Sequence, residues 1–245
     1  MGGSRDRTAD QSSAETGQSV RQEVLISSTQ AIRKRLLEAG VSFAPNANIA
    51  KHLLPGDIEV IQTEVERHMQ AVLDALVIDT NHDHNTQGTA KRIAKMYVRE
   101  VFAGRFEAAP EVTEFQNDSG LDAVYSLGPI AVRSACAHHL VPVTGRMWVG
   151  VLPGDKLIGI SKFVRLANWI LSRPHLQEEA TVMLADELEG RLKPKGLALV
   201  LKAHHQCMVW RGVRETGTIM TTSIMRGAFR DSKSMRSEFM AQIKD

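Results

Sequence analysis

The chain has two cysteines, Cys136 and Cys207, and each stands beside a pair of histidines. Cys136 is followed by His138 and His139 in Ser134-Ala-Cys-Ala-His-His-Leu140, and Cys207 is preceded by His204 and His205. Thiolate and imidazole are ligands that zinc prefers, and Cys-x-x-His is a workable ligand spacing. One such cluster reads as a buried thiol with incidental histidines. Two clusters that use every cysteine point to a joint metal site, which obliges the fold to join segments far apart in sequence. Cys136, His139 and Cys207 make three ligands, and a catalytic zinc keeps one further position for water. His138 or His205 either closes the site as a fourth ligand or stays free as an acid–base group. The sequence leaves both open.

The remaining composition sets bounds. A chain of 245 residues forms one large or two small domains, and a 43% hydrophobic content is enough for a core. The net charge of +2 is too mild to argue for nucleic acid as a partner. No apolar run approaches a membrane span, and the N-terminus shows no apolar signal-peptide core. The expected compartment is the cytoplasm, where two cysteines stay reduced and open to metal.

Residues 1 to about 24 are polar and small, too poor in apolar surface to offset their ordering entropy, and are expected to be disordered. A short helix is expected over Ser28–Ala39, ending at Gly40. Ile58, Ile61, Val65, Met69, Val72 and Leu76 recur at helical steps, so Asp57 to Ile78 reads as a helix with Asp57 as N-cap. The stretch Asp79–Gly88, with His82 and His84, reads as a polar surface loop. Thr89 is expected to cap a helix to about Ala103, stopped by Gly104, with Arg92, Lys95 and Arg99 on one face. That face is either solvated or a phosphate contact.

From Leu121 the pattern changes. Ala123–Val132 reads as a strand broken near Gly128-Pro129, and Gly145–Leu152 alternates as a half-buried strand. Ser161 is expected to cap a helix with Phe163, Leu166, Ala167, Ile170 and Leu171 as its apolar stripe. Pro174 is expected to open a second helix, with Leu176, Ala180, Met183, Leu184, Leu188 and Leu192 inward. Leu197–Trp210 reads as a strand on which Leu197, Leu199, Leu201, Ala203, His205 and Cys207 share a face. Gly217–Met225 is its expected partner, and Ser232–Ile243 a last helix. Two strand pairs separated by two helices imply an α+β domain, an antiparallel sheet with helices on one face, preceded by an N-terminal helical part.

Basic groups gather around the cysteines. Lys162 and Arg165 lie with Ser161 at a helix start, and Arg211 and Arg214 follow Cys207. A helix N-terminus already favours anions, and added cations make a phosphate site there. The competing reading is ordinary charge at helix ends. Glu178, near the start of the second helix, either complements the helix dipole or accepts two N–H bonds in parallel, as from the amidine edge of guanine.

Four motifs, Cys136-Ala-His-His139, Leu157-Ile-Gly-Ile-Ser-Lys162 with Arg165, Arg173-Pro-x-x-Gln-Glu178 and His205-x-Cys-Met-x-x-Arg-Gly212, resemble those of GTP cyclohydrolase I in order and spacing. Thr89-Ala-Lys-Arg-Ile-Ala-Lys-Met-Tyr97 resembles that family's helical N-terminal part, and the likeness runs from about residue 57 to 245. The resemblance implies a tunnelling fold (T-fold), a toroidal homodecamer with active sites shared between subunits, and conversion of GTP and water to formate and 7,8-dihydroneopterin triphosphate. It implies Zn2+ held by Cys136, His139 and Cys207, proton transfer by His138 and His205, and guanine binding by Glu178 with Gln177. It also implies a triphosphate site formed by Ser161, Lys162, Arg165 and Arg211, with Arg92 and Lys95 from the helical part. On this reading residues 1–50 form a largely disordered or extended segment, 51–118 the N-terminal helical part and 119–245 the T-fold catalytic domain.

Two departures stand out. The family usually has Cys-Glu-His-His, where position 137 here is Ala, and Thr-Pro before the basic helix, where this chain has Ala90. Proline at a helix start only pre-sets its geometry, so that loss is mild. The missing carboxylate keeps one alternative open beside the enzyme, a purine- or pterin-binding T-fold paralogue with weak or no turnover; a fourth ligand that closes the site would make a third, a structural zinc module with a Cys2His2 site.

Overall fold

The computed structural model describes residues 29–243; the disorder expected over residues 1–24 lies outside them. The chain divides into two compact units, residues 29–42 with 51–98, and residues 43–50 with 99–243 among those described.

The first unit is helical. α1 covers residues 29–38, α2 Asp57–Ala75 and α3 Thr89–Lys95. Gly56, at φ 91°, is the N-cap of α2 rather than Asp57. Asp57 instead accepts the Leu54 N–H at 2.7 Å and pairs with Arg35 of α1, so its carboxylate ties two segments together. Of the apolar stripe on α2, Val72 is 50% and Leu76 64% exposed, and Leu73 is the buried side chain. The basic helix is shorter than its pattern suggests. Gly88 caps it, and after Lys95 it passes into π-helical turns over Met96–Val101. Gly104 does not stop it but lies within the separate turn α4, Ala103–Phe106.

The second unit is α+β. Its strands are β1 (Glu114–Gln116), β2 (Tyr125–Cys136), β3 (Pro142–Leu152), β4 (Lys156–Ile158), β5 (Pro174–His175), β6 (Gly196–His205) and β7 (Met220–Gly227). Among the described residues they form a five-stranded sheet in the order β5-β2-β3-β6-β7, antiparallel except where β5 joins β2, and a small β1–β4 pair. Two long helices, α5 (Ile160–Leu171) and α6 (Gln177–Leu192), pack on one face of the larger sheet.

Strand alternation decides which side chains meet them. Met147, Val149 and Val151 of β3 and Leu197, Leu199, Leu201 and Ala203 of β6 face α5 and α6. Each fully buried leucine there is worth roughly 1.5–3 kcal/mol of transfer free energy. The other parity, Trp148, Ala198 and Val200, meets Phe229 and Phe239. Those two come from α8 (Ala228–Asp231) and α9 (Lys233–Gln242). Phe239 closes on the sheet at Gly150, where a β-carbon would stand 2.5 Å from its ring.

Several boundaries move for local reasons. β2 runs on to Cys136 and absorbs Gly128-Pro129 as a register shift between Leu127 and Ile130. Pro174 lies in β5, and α6 begins at Gln177. Gly159 caps α5 in place of Ser161. β6 stops at His205, and Gln206–Val209 forms the helical turn α7.

Candidate active site

Register explains how segments far apart in sequence converge. Ser134 of β2 pairs with Val143 of β3, and Val143 pairs with His205 of β6. One row across three strands therefore sets the end of β6 beside the β2–β3 hairpin. Cys136 pairs with His175 of β5, which delivers Gln177 and Glu178 to the same end of the sheet.

The hairpin turn holds itself by backbone. The Cys136 N–H donates to Val141 at 2.9 Å, that of Leu140 to Cys136 at 2.8 Å, and that of Ala137 to His175 at 3.0 Å. Leu140 takes the left-handed conformation, φ 55°, that so tight a turn requires. Close approach of β3 and β6 is needed behind it. A β-carbon on Gly145 would lie 2.0 Å from the Lys202 carbonyl.

The result is a cluster of Cys136, His139 and Cys207 whose ligating atoms all lie within 4.8 Å of one another. Cys136 is buried, Cys207 half-buried and His139 exposed, so the group opens outward on one side. Two thiols and an imidazole are a zinc-type donor set, and three ligands suit a site with one position left open. Burial and the neighbouring Cys136 thiol push the Cys207 thiol up, and Arg211 opposes them. A bound cation would reverse that preference, since metal-ligating thiols are deprotonated. Cys207 reaches the cluster from the turn α7, not from the strand face expected of it.

The other expected residues fall into three groups. His205 is half-buried and its Nε2 lies 2.8 Å from Oε1 of buried Gln177. Burial pushes the His205 imidazole down, and Glu178 opposes that shift. His138 is exposed beside His139, their ring centroids 6.3 Å apart. Glu178 is exposed at the second position of α6.

Arg211 Nη1 stands 3.1 Å from Nε2 of His139, next to the cysteines. Ser161, Lys162 and Arg165 occupy the first two turns of α5; Ser161 and Arg165 are exposed, and Lys162 donates to the Glu111 carbonyl at 3.0 Å. In the helical unit, Arg92 folds back on the carbonyls of Gln87 and Asn85 and on the Thr89 hydroxyl, while Lys95 is exposed.

Sequence reasoning passed over two buried residues that build this end of the sheet. Arg173 is 2% exposed, stacks 4.1 Å from the Trp169 ring and donates to the Asn46 carbonyl. His175 is 3% exposed and its Nε2 donates to the Ile170 carbonyl at 2.6 Å. Both fall within the Arg173-Pro-x-x-Gln-Glu178 motif, the signal that could have flagged them.

Comparison with known proteins agrees with this geometry. A GTP cyclohydrolase 1 of Shewanella amazonensis is 36% identical over 180 residues, 73% of this chain and 83% of that protein. One of Yersinia enterocolitica is 33% identical over 189 residues, 77% of this chain and 86% of that protein. A solved archaeosine synthase QueF-like protein in its apo form covers 49% of this chain and 97% of its own, at a TM-score of 0.33 and 14% identity, a likeness too distant to bear on function. The family model described as GTP cyclohydrolase I matches residues 65–244. With most of its length so matched, and with Cys136, His139 and Cys207 drawn together, the chain belongs to the GTP cyclohydrolase I family of hydrolases.

Proposed function

We propose that the protein is a zinc-dependent GTP cyclohydrolase I, which converts GTP and water to formate and 7,8-dihydroneopterin triphosphate. The observation that carries the reading is the convergence of Cys136, His139 and Cys207 at a sheet end that also bears His205, Glu178 and Arg211. Zinc, when held by those three ligands, supplies the Lewis acidity that activates water near neutral pH.

The chain's own residues do the rest. Glu178 accepts the guanine N1–H and 2-amino hydrogens, which fixes the purine with C8 toward the cysteines. Ser161, Lys162, Arg165 and Arg211 bind the triphosphate, with Arg92 and Lys95 contributing from the helical part. His138 and His205 move the protons. One protonates the imidazole-ring nitrogen as the C8–N bond breaks, and the same groups serve the ribose rearrangement. Opening the ring and releasing formate each consume a water. Reclosure to the pterin returns one, so the balance is one water per GTP.

The apolar stripe of α2 and the exposed Trp210, Val213 and Ile219 favour assembly into a homo-oligomer. A ring of ten with shared active sites is the form the family reading implies. On this reading a helical part over 51–118 precedes a catalytic domain over 119–245, in the cytoplasm.

The test is direct. Zinc-loaded protein incubated with GTP is expected to release formate and, after oxidation, the absorbance and fluorescence of a pterin. Tight binding of GTP without formate would make the protein a binding paralogue instead. Light scattering decides the assembly.

A further inference from the structure

Gln177 opens α6 and is 4% exposed. Its amide nitrogen faces three acceptors: the carbonyls of Leu201 at 3.2 Å and Met220 at 3.1 Å, and the Thr222 hydroxyl at 3.2 Å. That hydroxyl lies 3.0 Å from the Thr181 hydroxyl, which donates to the Gln177 carbonyl at 2.7 Å. Reversing the amide would set its oxygen against two carbonyl oxygens in a buried place, where polar groups left unpaired are costly. The surroundings therefore fix the nitrogen on the β6–β7 ladder and point Oε1 at Nε2 of His205, 2.8 Å away. A carboxamide oxygen only accepts, so Nε2 carries a hydrogen and the lone pair of the neutral ring lies on Nδ1.

We propose that Gln177 is a positioning residue that holds His205 as its Nε2–H tautomer, leaving Nδ1 as the atom through which His205 exchanges protons with substrate. This rests on the reading of His205 as a proton-transfer group. A proton taken up at Nδ1 leaves from Nδ1, and the Nε2–H stays with Gln177, which has no basic atom to receive it. No relay runs through the protein interior. Glutamine also orients the ring without adding charge, unlike a carboxylate partner, which would favour the imidazolium. Gln177 affects the base through His205; its own amide is fully engaged within the fold.

The test reads the tautomer itself. Zinc-loaded protein labelled with 15N-histidine is studied by magic-angle-spinning NMR, about two pH units above the ordinary imidazole value. His205 is assigned by difference from a His205→Asn sample. The expected spectrum, without GTP, is that of the Nε2–H tautomer. Gln177→Met removes the acceptor at similar volume. Its His205 is expected to show mixed tautomers, and kcat for GTP is expected to fall roughly tenfold or more while KM stays within about threefold. A wild-type ring protonated on Nδ1 overturns the proposal. So does a Gln177→Met enzyme with raised KM and unchanged kcat, which would put the amide on the purine. Should that variant not fold, the wild-type spectrum decides alone. A wild-type protein that shows the expected tautomer but turns over no GTP would sink the GTP reading and leave the assignment of Gln177 to His205 intact.

Discussion

The backbone N–H of Ala137 donates to the carbonyl of His175 at 3.0 Å. The residue between Cys136 and His138 is thus held by its main chain against β5, and the hairpin keeps its form whatever side chain stands there. Ala137→Glu, which adds a carboxylate beside the ligand turn, is expected to leave zinc at one per chain and to change turnover by no more than about tenfold. Metal analysis beside steady-state rates checks this. Loss of zinc in the variant would show that the side chain, not the backbone, shapes the ligand turn.

Cys207 comes from a turn beyond the sheet and is less buried than Cys136, yet both must be thiolates to hold a divalent ion. Cys207→Ser is expected to lose metal and GTP turnover together while the sheet stays folded. Elemental analysis, rate and circular dichroism on one sample separate the effects. Stoichiometric zinc with normal turnover in the variant would end the three-ligand assignment.

His175 gives a pH dependence of stability. Its Nε2–H donates to Ile170, and its buried Nδ1 has no partner among the described residues, so a second proton would be unsupported. Burial, with Arg173 adding repulsion, pushes the imidazole down to about 4. Between about pH 6.5 and 4 the unfolded chain binds a proton that the folded chain refuses, so stability falls as pH falls through that window. The full loss from this group is about 3 kcal/mol. Denaturant titrations across the range are expected to show a shallower slope for His175→Asn than for wild type. Equal slopes would place the acid sensitivity elsewhere.

Much of this was legible in the sequence because it follows from periodicity. Phe163, Leu166, Ala167, Ile170 and Leu171 are buried as their spacing demands, and the parity of β6 sets Leu197, Leu199, Leu201 and Ala203 against the helices. What pattern missed is set by contacts distant in sequence. The end of β6 at His205 is its last rung with β3, opposite Val143, two residues beyond its last rung with β7, Ala203 with Met220. β5 exists because Pro174 and His175 find the end of β2, although their sequence resembles a helix start. Gly56, Gly88 and Gly159 took capping positions expected of Asp57, Thr89 and Ser161. At the first two, φ of 91° and 72° is a conformation glycine adopts without penalty. The Cys136, His139 and Cys207 cluster was readable because rare residue types carried it; the engagement of Gln177 with His205 was not, since nothing in a glutamine's neighbours announces a partner 28 residues away.

Gly145 offers a test of the scaffold alone. A β-carbon there would meet the Lys202 carbonyl at 2.0 Å and the Ala203 α-carbon at 2.6 Å, both backbone, so relief requires prising β3 from β6 near the site. Gly145→Ala is expected to destabilise the fold by roughly 1–3 kcal/mol or more. Denaturant unfolding measures it. A neutral outcome would mean that the two strands are not packed as closely as their register implies.

On the proposed reading, base selectivity follows from Glu178. Its carboxylate is exposed at the start of α6, one residue after Gln177, whose side chain is committed to the sheet and to His205. Of the two, Glu178 is the one free to meet a purine. A carboxylate that accepts from N1–H and the 2-amino group of guanine would lose both bonds with adenine, which has neither hydrogen at those positions. Sites built around such donors discriminate by roughly a hundredfold or more, because the polar group is otherwise left unpaired once substrate excludes water. ATP is therefore expected to be turned over at least about a hundredfold less efficiently than GTP. Glu178→Ala is expected to raise KM for GTP and to erase most of that difference while zinc content is unchanged. Competition between the two nucleotides for wild type and variant, with metal measured on the same samples, checks both halves. Equal use of ATP and GTP by the wild-type protein would remove Glu178 from base recognition.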